Sequence, residues 1–177
     1  MPGGRIDAGR SFIPLGVAVL TISDSRDAAN DTAGDLLAER IGSAGHVLRD
    51  RALLRHDAAG IRRQAQLWVD DPAIDVIITT GGTGLTERDV APEALRPLFA
   101  QELEGFAVLW HLVSYESVGV STIQSRACAG IADSTAIYVL PGSEGACRDG
   151  WDKLISLQID SRHRPCSIVE VLRRGRK

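Results

Sequence analysis

Several common kinds of protein chemistry leave no trace in this sequence. There is no Cys-x-x-Cys pair and no Cys/His spacing of a zinc site; the three cysteines, Cys128, Cys147 and Cys166, are odd in number and widely spaced. Such thiols are expected to be free in a reducing cytosol, so a cytoplasmic protein is expected. The first residues, Met1 to Asp7, lack the apolar core of a signal peptide. No run approaches the ~20 apolar residues of a membrane span, so no membrane partner is expected. The four histidines, His46, His56, His111 and His163, form no H-E-x-x-H pair, and no serine sits in G-x-S-x-G. Hydrolytic and covalent chemistries therefore lack support. A net charge of −3 gives no strong attraction to nucleic acid. There is no internal repeat, linker or low-complexity segment.

What is present suits one packed domain. At 177 residues, 44% apolar and 24% charged, the chain is long enough for one well-packed domain and too short for two. Residues 1–13 are Gly-rich and polar and read as a loose arm. Residues 14–168 read as the domain. Residues 169–177, with Arg173, Arg174, Arg176 and Lys177, read as a solvated basic tail. The apolar runs Gly16–Ile22, 75–78 and 136–140 read as buried strands, and 46–54 as a less buried one. Helical patterns lie between them. One runs from a Thr32 cap to the stop at Gly45, and another from an Asp57 cap through Ile61, Ala65 and Trp68. Residues 92–103 follow, interrupted at Pro97, then 106–115, then a last helix after Ser143 through Trp151 and Ile159. Residues 121–132 are ambiguous. The alternation predicts an α/β fold, a three-layer α/β/α domain with a mostly parallel central sheet.

The organising stretch is Thr79-Thr80-Gly81-Gly82-Thr83-Gly84-Leu85-Thr86-Glu87-Arg88-Asp89. It leaves the carboxyl end of a buried strand, where open α/β sheets bind ligands. Its glycines let the backbone approach a ligand and present N–H groups to it. Thr83 and Thr86 add hydroxyls, Arg88 can pair with phosphate, and Asp89 can hold a metal ion or orient a bound group. No Lys follows Gly84, so this is no Walker A loop, and Glu87 replaces the third glycine of a dinucleotide fingerprint.

Two more strands end in small polar turns, Ser23-Asp24-Ser25-Arg26 and Pro141-Gly142-Ser143. Carboxyl ends of parallel strands share an edge, so the three turns are expected to converge. Helix N-termini opening there favour an anionic, phosphorylated ligand. Ser125-Arg126 offers a further phosphate contact or an ordinary surface Arg. Asp24, Asp31, Asp57 and Asp89 follow strands or open helices; each serves as a cap or as a Mg²⁺ ligand.

Thr80-Gly81-Gly82-Thr83-Gly84 with Arg88-Asp89-Val90 and Pro92-Glu93-Ala94 resembles the signature of the molybdopterin-binding family, which includes MoaB, MogA and the gephyrin G domain. Further landmarks are Thr21-Ile22-Ser23-Asp24, Asp31-Thr32-Ala33-Gly34, Glu104-Gly105-Phe106, Ser125-Arg126 and Leu140-Pro141-Gly142-Ser143. Arg164-Pro165-Cys166 and Leu85-Thr86-Glu87 look most like the MoaB branch. The resemblance spans about residues 16–166. It implies homotrimers or homohexamers acting late in molybdenum cofactor synthesis alongside other proteins of that synthesis. It also implies transfer of AMP from ATP (or a related step with GTP) to molybdopterin, with Mg²⁺. Ser23, Asp24, Gly81, Gly82, Thr83, Gly84, Arg88, Ser125, Arg126, Pro141, Gly142 and Ser143 would bind cofactor or nucleotide. Asp89 and Asp57 would be the catalytic, metal-holding acids.

The sequence departs from that pattern in one place. Active members carry an acidic pair after the second strand, and here His56 stands at the first of those positions, with Asp57 at the second. Mg²⁺ prefers hard oxygen donors. Two readings follow: an adenylyltransferase in which Asp57 substitutes, or an oligomeric molybdopterin carrier that binds without catalysing. A generic nucleotide-binding regulator is a third.

Overall fold

The computed structural model describes residues 4–175. Arg176 and Lys177 of the expected tail, and residues 1–3 of the expected arm, lie outside the described residues. In chain order the elements are β1 (Arg5–Ile6), β2 (Gly16–Ile22), α1 (Thr32–Ser43), β3 (Val47–Leu54), α2 (Ala58–Val69), β4 (Val76–Thr80) and α3 (Ala91–Leu95). After the 3-10 turn Arg96–Leu98 come β5 (Gln101–Glu102) and α4 (Glu104–Val118), and after the 3-10 stretch Gly119–Gln124 come β6 (Cys128–Ala132) and β7 (Thr135–Leu140). Next is α5 (Glu144–Gly150), continued by a π-helical turn Trp151–Ile155 and α6 (Ser156–Gln158), and then β8 (His163–Arg164) and α7 (Ile168–Gly175).

A six-stranded sheet runs β3-β2-β4-β7-β6-β5. Its first four strands are mutually parallel, and β6 runs antiparallel to both neighbours. Every residue of β2, β4 and β7 is buried, because helices cover both faces. The two-residue side-chain period sends Val17 and Val19 into one core with Leu37, Ile41, Trp110 and Trp151, on the side of α1, α4, α5 and α7. Ala18, Leu20 and Ile22 enter the other core with Ile61, Trp68 and Leu95, on the side of α2 and α3. The expected three-layer α/β/α architecture is the one found.

Several local expectations give way. Asp31, not Thr32, caps α1: its Oδ1 accepts the Gly34 amide at 3.0 Å and Thr32 is already helical. The 92–103 helix stops at the 3-10 turn, and Gln101–Glu102 joins the sheet edge against β6. The ambiguous 121–132 stretch divides into a 3-10 turn and a fully buried strand, whose small residues carry little hydrophobic contrast. The helix after Ser143 is not the last. Residues expected as a solvated tail form α7, with Val169 and Leu172 buried and Arg173 and Arg174 exposed. In the expected arm, β1 pairs with β8.

His46 supports this frame from just before β3. It is buried between Phe12 and Trp151, and its Nδ1 accepts the Leu15 amide at 3.2 Å. Burial pushes its pKa down, against a smaller upward pull from Asp160 and Asp75. A histidine whose folded pKa is depressed stabilises the fold above its unfolded value of about 6.5; that contribution is lost as pH falls through the folded pKa. The melting temperature is therefore expected to drop between about pH 7 and pH 5, and this slope should flatten in His46→Gln. Thermal melts across that range make the check; an equal slope in the variant would place its origin elsewhere.

Candidate functional site

The carboxyl ends of β2, β4 and β7 lie side by side, so the three polar turns converge as the sequence implies. They wall a cleft of about 500 Å³. Thr21, Ser23, Ser25 and Arg26 line it from β2, His56 from the end of β3, Gly81 to Gly84 and Asp89 from β4. Gln124, Ser125, Pro141 and Gly142 close the far side. A second hollow of about 610 Å³, lined by Phe106, Leu109, Tyr138 and Leu157, lies under one face of the sheet and is mostly apolar. The convergence of polar loop ends marks the first as the candidate site.

The Gly-rich loop is held by its own geometry. Gly81 adopts φ +106° and Gly82 φ +70°, conformations L side chains rarely take. A Cβ on Gly81 would stand 2.1 Å from the Ile22 carbonyl oxygen, so the loop packs directly on the end of β2. The Gly81 amide donates to the Leu140 carbonyl at 2.9 Å, joining it to the β7 turn. Thr80 Oγ1 donates to the Pro141 carbonyl at 2.9 Å from behind.

Asp89 closes the loop. Its Oδ2 accepts the Thr86 amide at 3.0 Å and the Thr86 hydroxyl at 2.6 Å. Burial raises its carboxyl, but the Thr86 hydroxyl, the Thr86 and Gly84 amides and nearby His56 outweigh that and hold it below its ordinary value. Asp89 is thus an ionised carboxylate at neutral pH, and among the described residues it is the sole carboxylate lining the cleft.

Several predicted ligand contacts are occupied within the chain. Arg88 pairs with Asp24, and His56 Nδ1 donates to the Arg88 carbonyl at 2.5 Å. The His56 amide in turn donates to Asp24 Oδ1 at 3.2 Å, so these three residues tie the ends of β2 and β3 to the loop. Neither Asp24 nor Arg88 lines the cleft. Arg126 buckles the Gly-rich loop from outside: its Nε donates to the Gly84 carbonyl at 2.7 Å, and its other nitrogens bond the Asp89 carbonyl and Glu93. Ser125 does line the cleft, its Oγ accepting Trp110 Nε1 at 3.0 Å. Ser143 caps α5 by accepting the Ala146 amide at 3.1 Å and stands outside the lining.

Asp57 is likewise outside. Its two oxygens accept the Ala59 and Gly60 amides at 3.1 and 3.0 Å, capping α2. The alternative role of helix cap, weighed from the sequence, is the one the geometry fills. Among the described residues no cluster of three or more His, Cys, Asp or Glu side chains could hold a metal ion. No helix among them is long and apolar enough to cross a membrane. Sequence reading passed over Arg26 as a site residue. The signal was available: it closes the polar turn that follows β2.

Fold and cleft define an α/β ligand-binding domain, with a Gly-rich loop and one carboxylate at the carboxyl edge of a parallel sheet. Comparison with known families matches residues 18–161 to the family described as "Probable molybdopterin binding domain". Molybdenum cofactor biosynthesis protein B of Escherichia coli K12 is 46% identical over 156 residues, covering 88% of this chain and 92% of that protein. Its Staphylococcus epidermidis namesake is 44% identical over 150 residues, covering 82% and 85%. A crystal structure of molybdenum cofactor biosynthesis protein B superposes with TM-score 0.86 at 32% identity, covering 93% of this chain and 99% of that one. The tungsten cofactor synthesizing protein MoaB from Pyrococcus furiosus gives 0.75 at 28%, covering 93% and 98%. This chain belongs to the molybdopterin-binding domain family, in the branch of molybdenum cofactor biosynthesis protein B.

Proposed function

We propose that the cleft binds molybdopterin and that the chain transfers AMP to it from ATP. A terminal phosphate oxygen of molybdopterin attacks the α-phosphorus of ATP; the bond to the β-phosphate oxygen breaks and pyrophosphate leaves. Such a reaction chiefly needs two polyanions held in line with their charge balanced. Loop amides at Gly82, Thr83 and Gly84 would take phosphate or pterin, with Ser23, Ser125, Pro141 and Gly142 completing the walls. Mg²⁺, if bound, would neutralise charge on the phosphates; a single protein carboxylate, Asp89, suits it, since Mg²⁺ is commonly held by one or two carboxylates plus substrate phosphates. The observation that carries this reading is the ionised Asp89 in a cleft otherwise walled by glycines and hydroxyls.

A second reading is favoured by His56, which lines the cleft where active relatives are expected to carry an acid. On it the chain binds and hands over molybdopterin without adenylylating it. Purified protein with molybdopterin and Mg-ATP separates the two. Pyrophosphate release with adenylylated product supports the transferase; tight molybdopterin binding without product supports the carrier.

We also propose a homotrimer or a hexamer built from two of them, working with other proteins of cofactor synthesis. The support is apolar surface left open along α4 and beyond, including Leu109, Leu112, Tyr115, Val120 and Ile123, the last two 70% and 76% exposed. Light scattering on the native protein is expected to give three or six times the chain mass, and a monomer would overturn this.

A further inference from the structure

We infer that Arg26 is a phosphate-binding residue at the β2 end of the cleft, positioned there by the buried carboxylate of Asp31. The inference deepens the proposed function and rests on the cleft being a site for phosphorylated ligands.

The cleft is short of cations. Arg88 is paired with Asp24, and Arg126 has its guanidinium nitrogens on the loop carbonyls and Glu93. Arg26 is the arginine that lines the cleft among the described residues. Its guanidinium makes no hydrogen bond to another described residue, yet it is not adrift. Its backbone amide donates to Ser23 Oγ at 3.1 Å, which fixes the turn. Its Nη1 stands 3.7 Å from Asp31 Oδ1, an ion-pair distance too long for a hydrogen bond.

Asp31 explains why Arg26 is held beside the cleft and left available. Its side chain is 1% exposed and already accepts three hydrogen bonds. Oδ2 accepts the Thr21 hydroxyl at 2.6 Å and Arg51 Nη2 at 2.8 Å, and Oδ1 accepts the Gly34 amide at 3.0 Å. Burial raises the Asp31 carboxyl, but the Arg51 and Thr21 hydrogen bonds and the Gly34 amide more than offset this, and the group remains ionised. Arg51 takes the close contact and also bonds Asp35. Arg26 is left attracted to Asp31 without being saturated by it, and its fork of donors is the shape that matches a phosphate. Two phosphates meet that description: the polyphosphate of a nucleotide and the phosphate monoester of molybdopterin.

Calorimetric titration of the full chain with ATP, pyrophosphate and molybdopterin tests this, at several salt concentrations, for wild type, Arg26→Ala, Arg26→Lys and Asp31→Asn. Arg26→Ala is expected to weaken at least one of these ligands tenfold or more and to flatten its salt dependence, because a charge contact is lost. Arg26→Lys should recover part of the affinity and all of the salt dependence, since charge returns without the fork. Asp31→Asn should weaken binding several-fold with the salt dependence kept, because the cation stays but loses its anchor. Circular dichroism at the assay temperature confirms that each variant is folded. Loss for ATP and pyrophosphate alone assigns Arg26 to the nucleotide; loss for molybdopterin alone assigns it to the monoester. Wild-type affinity and salt dependence for all three ligands in Arg26→Ala overturn the inference while leaving the cleft's function standing. A wild-type chain that binds none of the three overturns both.

Discussion

Asp89→Asn is expected to slow the proposed adenylyl transfer by about 10²–10³-fold, a typical cost of removing one group that stabilises developing charge. The protein should remain folded. An asparagine oxygen can still accept from the Thr86 amide and hydroxyl, so the loop keeps its closure, and the loss of charge assistance costs about 1–2 kcal/mol. Pyrophosphate release and a thermal melt, run together, make the check. The Asp89 carboxyl is held below its ordinary value, so it is ionised throughout the neutral range. Its contribution to stability is present above its unfolded pKa of about 3.9 and is lost as pH falls through the folded value. No acid limb from Asp89 is therefore expected in the rate profile above about pH 5. Turnover retained in the variant would remove Asp89 from the proposed reaction.

Gly81→Ala is expected to destabilise the fold by about 3 kcal/mol or more and to abolish ligand binding. Two penalties coincide. An L residue at φ +106° is strained, and its Cβ would lie 2.1 Å from the Ile22 carbonyl oxygen. Ile22 ends a strand packed on both faces, so the carbonyl has little room to retreat. The loop must lift instead, breaking the hydrogen bond from the Gly81 amide to the Leu140 carbonyl that joins two walls of the cleft. Gly145→Ala is the control. It sits in α5, where an added Cβ meets nothing within 4 Å, and alanine there should be neutral or stabilising by up to about 1 kcal/mol. Chemical denaturation of both variants reads the contrast; equal effects would mean that Gly81 is not under steric constraint.

The legible parts of the fold were those whose side chains repeat. The runs that became β2, β4 and β7 are dominated by apolar and β-branched residues and carry no charge, as two covering helical layers require. Cys128–Ala132 had no such contrast, because a strand of small residues at the antiparallel side of the sheet is identified by its pairing partners. In α7 the arginines masked an amphipathic turn, and only the docking of Val169 and Leu172 against the core reveals it. The cleft was legible through strand-end chemistry: three small polar turns on parallel strands must meet.

Charged residues were read less well, for a physical reason. Arg26, Arg88 and Arg126 are chemically equal in the sequence, and a guanidinium serves a ligand or the protein according to which acceptors lie within reach. Arg126 meets carbonyls across the loop, Arg88 meets Asp24, and Arg26 faces a carboxylate already taken by Arg51. Asp57 and Asp89 part in the same way, one turned to helix amides and the other closing the loop inside the cleft.

Sequence by itself determined the α/β layering, the Gly-rich loop, the edge of the sheet where the ligand site forms, and the family. The first three follow from local composition and from the direction of parallel strands, and the family from the resemblance carried by the loop motifs. Tertiary structure alone decided which charges remain available at that edge, because ion pairing joins residues far apart in the chain and is settled by a few ångströms of approach.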